Sequence, residues 1–200
     1  MKKTAVVYIL ILATSTAFAQ LDMTKLKDMK ARSIGPAGMS GRVTAIDVVL
    51  SAPDVMYVGT ASGGLWKSES GGIDWSPIFD DQKVASIGDV VIDQSNPDVI
   101  WVGTGEGNPR NSQTSGYGVY KSLDGGTNWK YMGLGETRNI HRVILDPRNS
   151  DVVYVGAQGP AWGETKERGI FKTVDGGNTC LLYTSPSPRA ATLSRMPSSA

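Results

Sequence analysis

A short phrase, KSESGGIDW at 67–75, returns as KSLDGGTNW at 121–129 and again as KTVDGGNT at 172–179. The return sets Ser70, Asp124 and Asp175 in one slot, 54 and then 51 positions apart. Two other phrases precede each copy in constant order. They are PDVMYVGT at 53–60, PDVIWVGT at 97–104 and SDVVYVGA at 150–157, and before them VTAIDV at 43–48, DVVIDQ at 89–94 and RVILDP at 142–147. A unit of this size cannot bury its apolar surface alone and must stack on copies of itself, so the chain is restricted to repeat architectures.

Within each unit the pattern predicts four short strands. The apolar, β-branched segment ending in Asp47, Asp93 or Asp146 reads as an inner, well-buried strand. A Pro/Asn/Ser/Asp turn such as QSNPD follows. Tyr57-Val58, Trp101-Val102 and Tyr154-Val155 carry the second strand, which stops at Gly59, Gly103 or Gly156. The third runs through Leu65-Trp66-Lys67, Val119-Tyr120-Lys121 and Ile170-Phe171-Lys172, and the Gly-Gly turn leads into a fourth through Trp75 and Trp129. Helical periodicity is confined to a short piece near Met23 to Lys30. Four-stranded units of forty to fifty residues are β-propeller blades. The expected fold is therefore all-β, with about three blades at 40–83, 84–138 and 139–179.

The recurring turn has a structural rationale. Asp124 and Asp175 are short acceptors able to bond backbone N–H groups across their own turns, and Ser70 does the same more weakly. Gly71 and Gly72, Gly125 and Gly126, and Gly176 and Gly177 permit positive φ. Trp75 and Trp129 then cover the turn with an apolar ring. A turn repeated in every blade serves the blade, not acid–base or metal chemistry.

The motif Ser/Lys-x-Asp-Gly-Gly-x-x-Trp resembles the Asp-box of bacterial-neuraminidase-repeat propellers, a group that includes sialidases, sortilin-type domains, xyloglucanase-type glycoside hydrolases and photosystem assembly factors. RSIGPAGMSGRVTAIDV, GTASGGLWKS and GTGEGNPRNS are most similar to exported bacterial sortilin-like, glycosyl-hydrolase-like repeat proteins, over residues 32 to 179. The resemblance implies a propeller of six to eight blades. The chain is accordingly expected to be an N-terminal fragment whose partners include the remaining blades. The resemblance is specific for fold and poor for activity.

The two ends read differently from the repeats. Lys2 and Lys3, an apolar run from Ala5 to Ala13 and the sequence Ala17-Phe18-Ala19 form a secretory signal peptide over 1–19, with 20–39 as a lead-in. The protein is expected to be exported, periplasmic or extracellular, with no membrane span after cleavage. The codons TGT CTC TTA TAC ACA TCT CCG AGC CCA CGA spell residues 180–189 and look like the end of a transposase-based sequencing adapter. The codons TCT CGT ATG CCG TCT TCT GCT spell 194–200 and resemble its flow-cell end, with Ala190 the one departure. Residues 180–200 are therefore read as a non-native tail rather than a Ser/Pro-rich linker. Setting both ends aside removes Lys2, Lys3, Arg189 and Arg195 from 20 basic residues and leaves 16 against 19 acidic ones. A weakly acidic chain without a basic cluster is not expected to bind nucleic acid. Cys180 is the single cysteine, so no disulfide, thiolate metal site or cysteine nucleophile is expected before it. No metal or cofactor is expected. An open stack of three blades leaves unpaired edges and half-covered aromatics, which predicts poor solubility.

Chemistry, if present, belongs in the loops after each second strand, opposite the Gly-Gly turns. The xyloglucanase resemblance implies a catalytic Asp in a Thr-Asp-x-Gly-Gly loop of the first blade, but this chain has Thr60-Ala61-Ser62-Gly63-Gly64, and Ala61 has no proton to move. The Arg-Ile-Pro motif of sialidases is absent. The second loop, 105–118, and the third, 157–169, carry Glu106, Asn108, Arg110, Tyr117, Trp162, Glu164 and Arg168. This mixture of carboxylates, forked donors and aromatic platforms suits sugar or peptide recognition. Glu106 and Glu164 form the candidate acid/base pair. The alternative is that Arg110 and Arg168 pair with these glutamates merely to order the loops. His141, the single histidine, and Arg138 before it reach the same side. No catalytic residue is assigned. The expected function is an exported propeller module that binds protein or carbohydrate ligands. The alternatives are a sialidase- or xyloglucanase-like glycoside hydrolase completed by further blades, and an envelope assembly scaffold.

Overall fold

The computed structural model describes residues 42–108, 113–160, 168–179 and 181–183. The signal and lead-in segments, the Met23–Lys30 piece, Arg110, Trp162, Glu164, Cys180 and residues 184–200 lie outside the described residues. Twelve strands form three antiparallel sheets, each a meander in which every strand pairs with its chain neighbours. Sheet I holds β1 (Val43–Val48), β2 (Met56–Thr60), β3 (Leu65–Ser68) and β4 (Ser76–Pro77). Sheet II holds β5 (Ile87–Ile92), β6 (Ile100–Thr104), β7 (Val119–Ser122) and β8 (Lys130–Gly133). Sheet III holds β9 (Ile140–Asp146), β10 (Asn149–Ala157), β11 (Gly169–Thr173) and β12 (Leu181–Tyr183). One 3-10 turn at Gly135–Thr137 is the sole helical element among the described residues. Pro77, which has no N–H to offer a ladder, sits on an edge strand of two residues, where its loss is harmless.

The pairing register corrects one equivalence drawn from the phrases. Asp47 does not correspond to Asp93. Tyr57 pairs with Asp47 and Trp101 with Val91, so Asp47 matches Val91. Val49 matches Asp93: their N–H groups donate to Val55 and Val99 carbonyls at 3.0 and 2.9 Å. Both carboxylates follow apolar runs, so the phrases align them although the ladder does not. A second difference concerns the tail. Backbone at Leu181–Tyr183, beyond the expected end at 179, pairs with Ile170–Lys172 as the outer strand of sheet III. Antiparallel pairing requires only main-chain donors and acceptors, so any extended segment leaving the turn can complete the edge.

Consecutive sheets pack face to face around two cores. Sheets I and II enclose Tyr57, Leu65, Phe79, Ile87, Val90, Val102 and Tyr120, with Trp129 against them. Sheets II and III enclose Trp101, Val119, Ile140, Val143, Val155 and Phe171. Phe79 meets Tyr120 and Trp129 edge-on, both at 5.1 Å between centroids, an arrangement the ring quadrupoles favour. The inner strands approach so closely that only glycine fits opposite them. A Cβ on Gly59 would lie 2.5 Å from Ile87 Cγ2, and one on Gly103 would lie 2.5 Å from Ile140 Cγ2.

The three Gly-Gly corners share one hydrogen-bond scheme. Ser68, Ser122 and Thr173, the last residues of β3, β7 and β11, are buried, and their hydroxyls accept from the N–H of Gly72, Gly126 and Gly177 at 2.8, 2.9 and 3.0 Å. Ser70 Oγ, Asp124 Oδ1 and Asp175 Oδ1 accept from the N–H four residues on, at 2.9, 2.8 and 2.9 Å. The first glycine of each pair donates to the carbonyl of Asp54, Asp98 or Asp151, all at 3.0 Å, fastening the corner to the β1–β2 turn, the β5–β6 turn or the start of β10. Both glycines of each corner have positive φ, 65° and 92° at Gly125 and Gly126.

These corners generate two predictions. Ser122→Ala strips a buried acceptor from two N–H groups and should cost about 1–3 kcal/mol in urea unfolding, whereas Ser122→Thr, the residue already used at 173, should stay close to the parent. The second concerns acid. Asp124, Asp146 and Asp175 are held below the usual carboxylate range. The main causes are the Asn128 N–H at Asp124, the Arg148 side chain at Asp146 (about 2) and the Thr179 hydroxyl at Asp175. Such acids bind fewer protons folded than unfolded, so their contribution is intact above about pH 4 and is lost as pH falls through the depressed folded values. The urea midpoint should therefore decline from pH 4 to pH 2, and less steeply in an Asp124→Asn/Asp175→Asn chain.

Candidate functional site

The residue before each inner strand governs the loop beyond it. The carbonyls of Arg42, Ser86 and Asn139 accept from Ala61, Gly105 and Gln158 at 2.9, 2.8 and 2.8 Å, so each second strand turns outward at the same depth. In sheet I the result is a tight turn. Thr60 Oγ1 accepts from the Gly63 N–H and donates to the Gly64 carbonyl at 2.8 and 2.9 Å, with Ala61 buried beneath. In sheet II the loop is longer but pinned at its return: Thr104 Oγ1 donates to the Gly118 carbonyl at 2.6 Å and accepts from the Tyr117 N–H at 2.7 Å.

Glu106 is the central surprise. It is 0% exposed, and both carboxylate oxygens are taken by the guanidinium of Arg42, whose Nε lies 2.9 Å from Oε1. Its N–H donates to Ser86 Oγ at 3.1 Å and to the Thr114 carbonyl at 3.2 Å. The partner comes from the residue before sheet I, 64 positions away, and Arg110, the partner weighed from sequence, lies outside the described residues. A carboxylate that is fully buried and held by a bidentate partner ties two sheets together and is shielded from solvent. Arg168 is tied to main chain, while Glu164 lies outside the described residues. Its Nε and a terminal nitrogen donate to the carbonyls of Gln158 and Pro160 at 2.7 and 3.2 Å, closing its own loop.

The other sequence-named residues are exposed. Tyr117 stacks on Tyr131 at 5.2 Å and 25°, with Lys83 Nζ 4.8 Å from its ring centroid. Burial leads the causes that raise the Tyr131 pKa, so the phenol stays protonated at neutral pH. Arg138 has φ 57°, and Leu134, at the other end of the 3-10 turn, has φ 61°. Left-handed backbone at two residues with side chains costs about 1–3 kcal/mol each and concentrates where function requires it. The Arg138 carbonyl accepts from Gly116 N–H, which couples this strained segment to the Tyr117 loop. His141 packs its ring against Gly107, where any Cβ would collide. With Arg142 and Arg168 it borders a groove of about 450 Å³ floored by Gly156 and Ile170. Two other clefts, of about 400 and 220 Å³, lie at the opposite strand ends between successive Gly-Gly corners. Among the described residues no three His, Cys, Asp or Glu side chains are grouped to hold a metal ion, and no helix is long and apolar enough to cross a membrane.

Sequence reasoning missed Arg42, Lys83 and Tyr131. Arg42 had a periodic signal, since it stands directly before its inner strand as Ser86 and Asn139 do. Lys83 and Tyr131 had none, because they meet Tyr117 only through sheet packing.

No family model matches the chain, and no curated protein matches it. Solved structures do match. A GH74 enzyme from Niastella koreensis aligns at TM-score 0.56 and 23% identity, over 72% of this chain and 22% of that one. An ancestral GH74 enzyme aligns at 0.55 and 21%, over 74% and 19%, and YCF48 from Cyanidioschyzon merolae at 0.52 and 19%, over 82% and 46%. At these identities the likeness is one of fold: the three sheets are blades of an all-β propeller. The chain spans about a fifth of the length of the two GH74 enzymes.

The Arg42–Glu106 pair yields a prediction. Arg42→Met leaves a buried carboxylate uncompensated. With Arg42 36% exposed, the expected cost is at the lower end of the buried-pair range, about 3 kcal/mol in urea unfolding. Adding Glu106→Leu should restore most of it, and a double-mutant cycle with additive effects would exclude the tie.

Proposed function

We propose that the chain is an exported Asp-box propeller of the sortilin-like type that binds protein or carbohydrate ligands without hydrolysing them. The observation that carries this reading is the sequestration of Glu106, one of the two sequence-named carboxylates for acid/base work. With Ala61 in the first loop, neither described position supplies a proton donor or acceptor to a glycosidic bond. The same loop face presents Asn108, Tyr117 and Arg138 to solvent, with His141 and Arg168 at its border. The stacked tyrosines offer a flat apolar platform, and Arg138 and Lys83 supply donors beside it. The corner geometry supports the Asp-box reading, and residues 1–19 support export. The rival is a glycoside hydrolase. Two of the fold neighbours are GH74 enzymes, yet at 23% and 21% identity they share architecture with this chain and nothing finer.

A panel of glycans that includes xyloglucan and sialylated oligosaccharides tests this reading, with binding and reducing-sugar release measured on the same full chain. Binding without release is expected, and Tyr117→Ala should weaken it about tenfold, the loss typical of an interface aromatic anchor. Release of reducing sugar that disappears in a folded Glu106→Gln chain would overturn the binding-module reading.

A further inference from the structure

Tyr117 stands just before β7 and Tyr131 lies in β8, so their rings meet at the open end of the β7–β8 hairpin, away from its Gly-Gly corner. The ring centroids are 5.2 Å apart and the planes 25° from parallel. Gly135 shows which way the rings point. A Cβ on it would lie 2.6 Å from Tyr131 Oη, and 3.3 and 3.4 Å from Tyr117 Cε2 and Cζ. The phenolic ends of both rings therefore converge on one point of main chain, where no side chain parts them. Lys83 Nζ, 4.8 Å from the Tyr117 centroid, holds that ring from the segment between sheets I and II. Both tyrosines are open to solvent, at 37% and 42% exposure.

Phenols held in this way have a chemistry of their own. One-electron oxidation turns each into a phenoxyl radical, whose unpaired spin rests on the oxygen and on the Cε carbons beside it. Two such rings fixed side by side combine in an effectively unimolecular step, ahead of any encounter with a second molecule. Tyr120 is the contrast. It meets Tyr131 edge-on, at 5.5 Å and 62°, and its buried hydroxyl has no hydrogen-bond partner. With no acceptor for its proton, that phenol resists oxidation, and its ring is not laid against its neighbour's. Among the described residues no other two tyrosines are stacked. The chain has one cysteine, so a disulfide cannot lock this hairpin.

We propose that Tyr117 and Tyr131 form a cross-linking site, joined through their Cε carbons as dityrosine by a one-electron phenol oxidant such as a haem peroxidase with hydrogen peroxide. Each phenol gives up one electron and its hydroxyl proton, and the two radicals form the carbon–carbon bond. The hydrogens on the joined carbons then pass through water to the two oxygens, which restores both phenols. The two electrons and two protons released reduce one hydrogen peroxide to two waters. The product ties the 105–118 loop to β8, the edge strand of sheet II, whose ladder is paired on one side only. The inference stands on the ring geometry and is independent of any ligand at the loops.

Treating the full chain with a haem peroxidase and hydrogen peroxide should produce the blue fluorescence of dityrosine. Trypsin should then release residues 111–121 joined to 131–138, lighter by two hydrogens than the separate peptides. The yield per chain should hold steady when the protein is diluted about tenfold, as an intramolecular step requires. Tyr131→Phe and Tyr117→Phe each keep a ring and remove a phenol, and each should abolish the joined peptide with the far-UV circular dichroism unchanged, whereas Tyr120→Phe should retain it. A chain that gives no dityrosine, a yield that falls on dilution, or a joined peptide that survives Tyr131→Phe overturns the proposal and leaves the fold and the ligand reading untouched.

Discussion

A four-stranded sheet whose inner strands are apolar on both faces has to be covered twice, and the molecule is organised by that requirement. Glycine at 59 and 103 lets the next inner strand approach until Ile87 and Ile140 fill the space a side chain would otherwise claim. Nearly all burial follows from this approach. Val102 and Val119 are 0% and 2% exposed because a neighbour lies across them, not because of anything in their own sheet. Where no neighbour lies among the described residues, at Ile46 and Ile170, the same residue types are bare.

Close packing also decides which polar groups can be afforded inside. Asp89 is 6% exposed, and burial raises its pKa despite the Val143 N–H it accepts at 2.8 Å and the Arg142 guanidinium at 3.9 Å. Glu106 achieves deeper burial with a bidentate partner of its own. The loop face therefore has a charge-neutralised floor, and the Tyr117 and Arg138 side chains above it are exposed while their main chains fasten the loop.

Much of the fold was legible because the corners are local. Ser122, Asp124 and Gly126 interact within seven residues of chain, so their chemistry shows as a word in the sequence and its recurrence counts the sheets. The site was less legible for the opposite reason. Arg42 meets Glu106 across 64 positions and two repeats, and no phrase joins them. The nearer basic neighbours, Arg110 and Arg168, were the natural partners on a one-dimensional reading. The displaced register at Asp47 has a similar origin. A carboxylate is conspicuous in a phrase, whereas the ladder is set by apolar alternation, with the same bulge at Val43/Ala45 and at Ile87/Asp89.

Apart from the Arg42–Glu106 pair, several ties between neighbouring sheets are addressed to main chain. Tyr57 and Lys121 donate to glycine carbonyls, Trp129 donates from Nε1 to the Ile78 carbonyl at 2.8 Å, and Asp47 and Asp89 accept from the Ile92 and Val143 N–H groups. A peptide group presents the same atoms whatever side chain it bears. One repeat can thus be copied beside another, and both can drift in composition, without either losing its grip. Architectures built this way tolerate long divergence, and a shared ring outlives any shared vocabulary of residues.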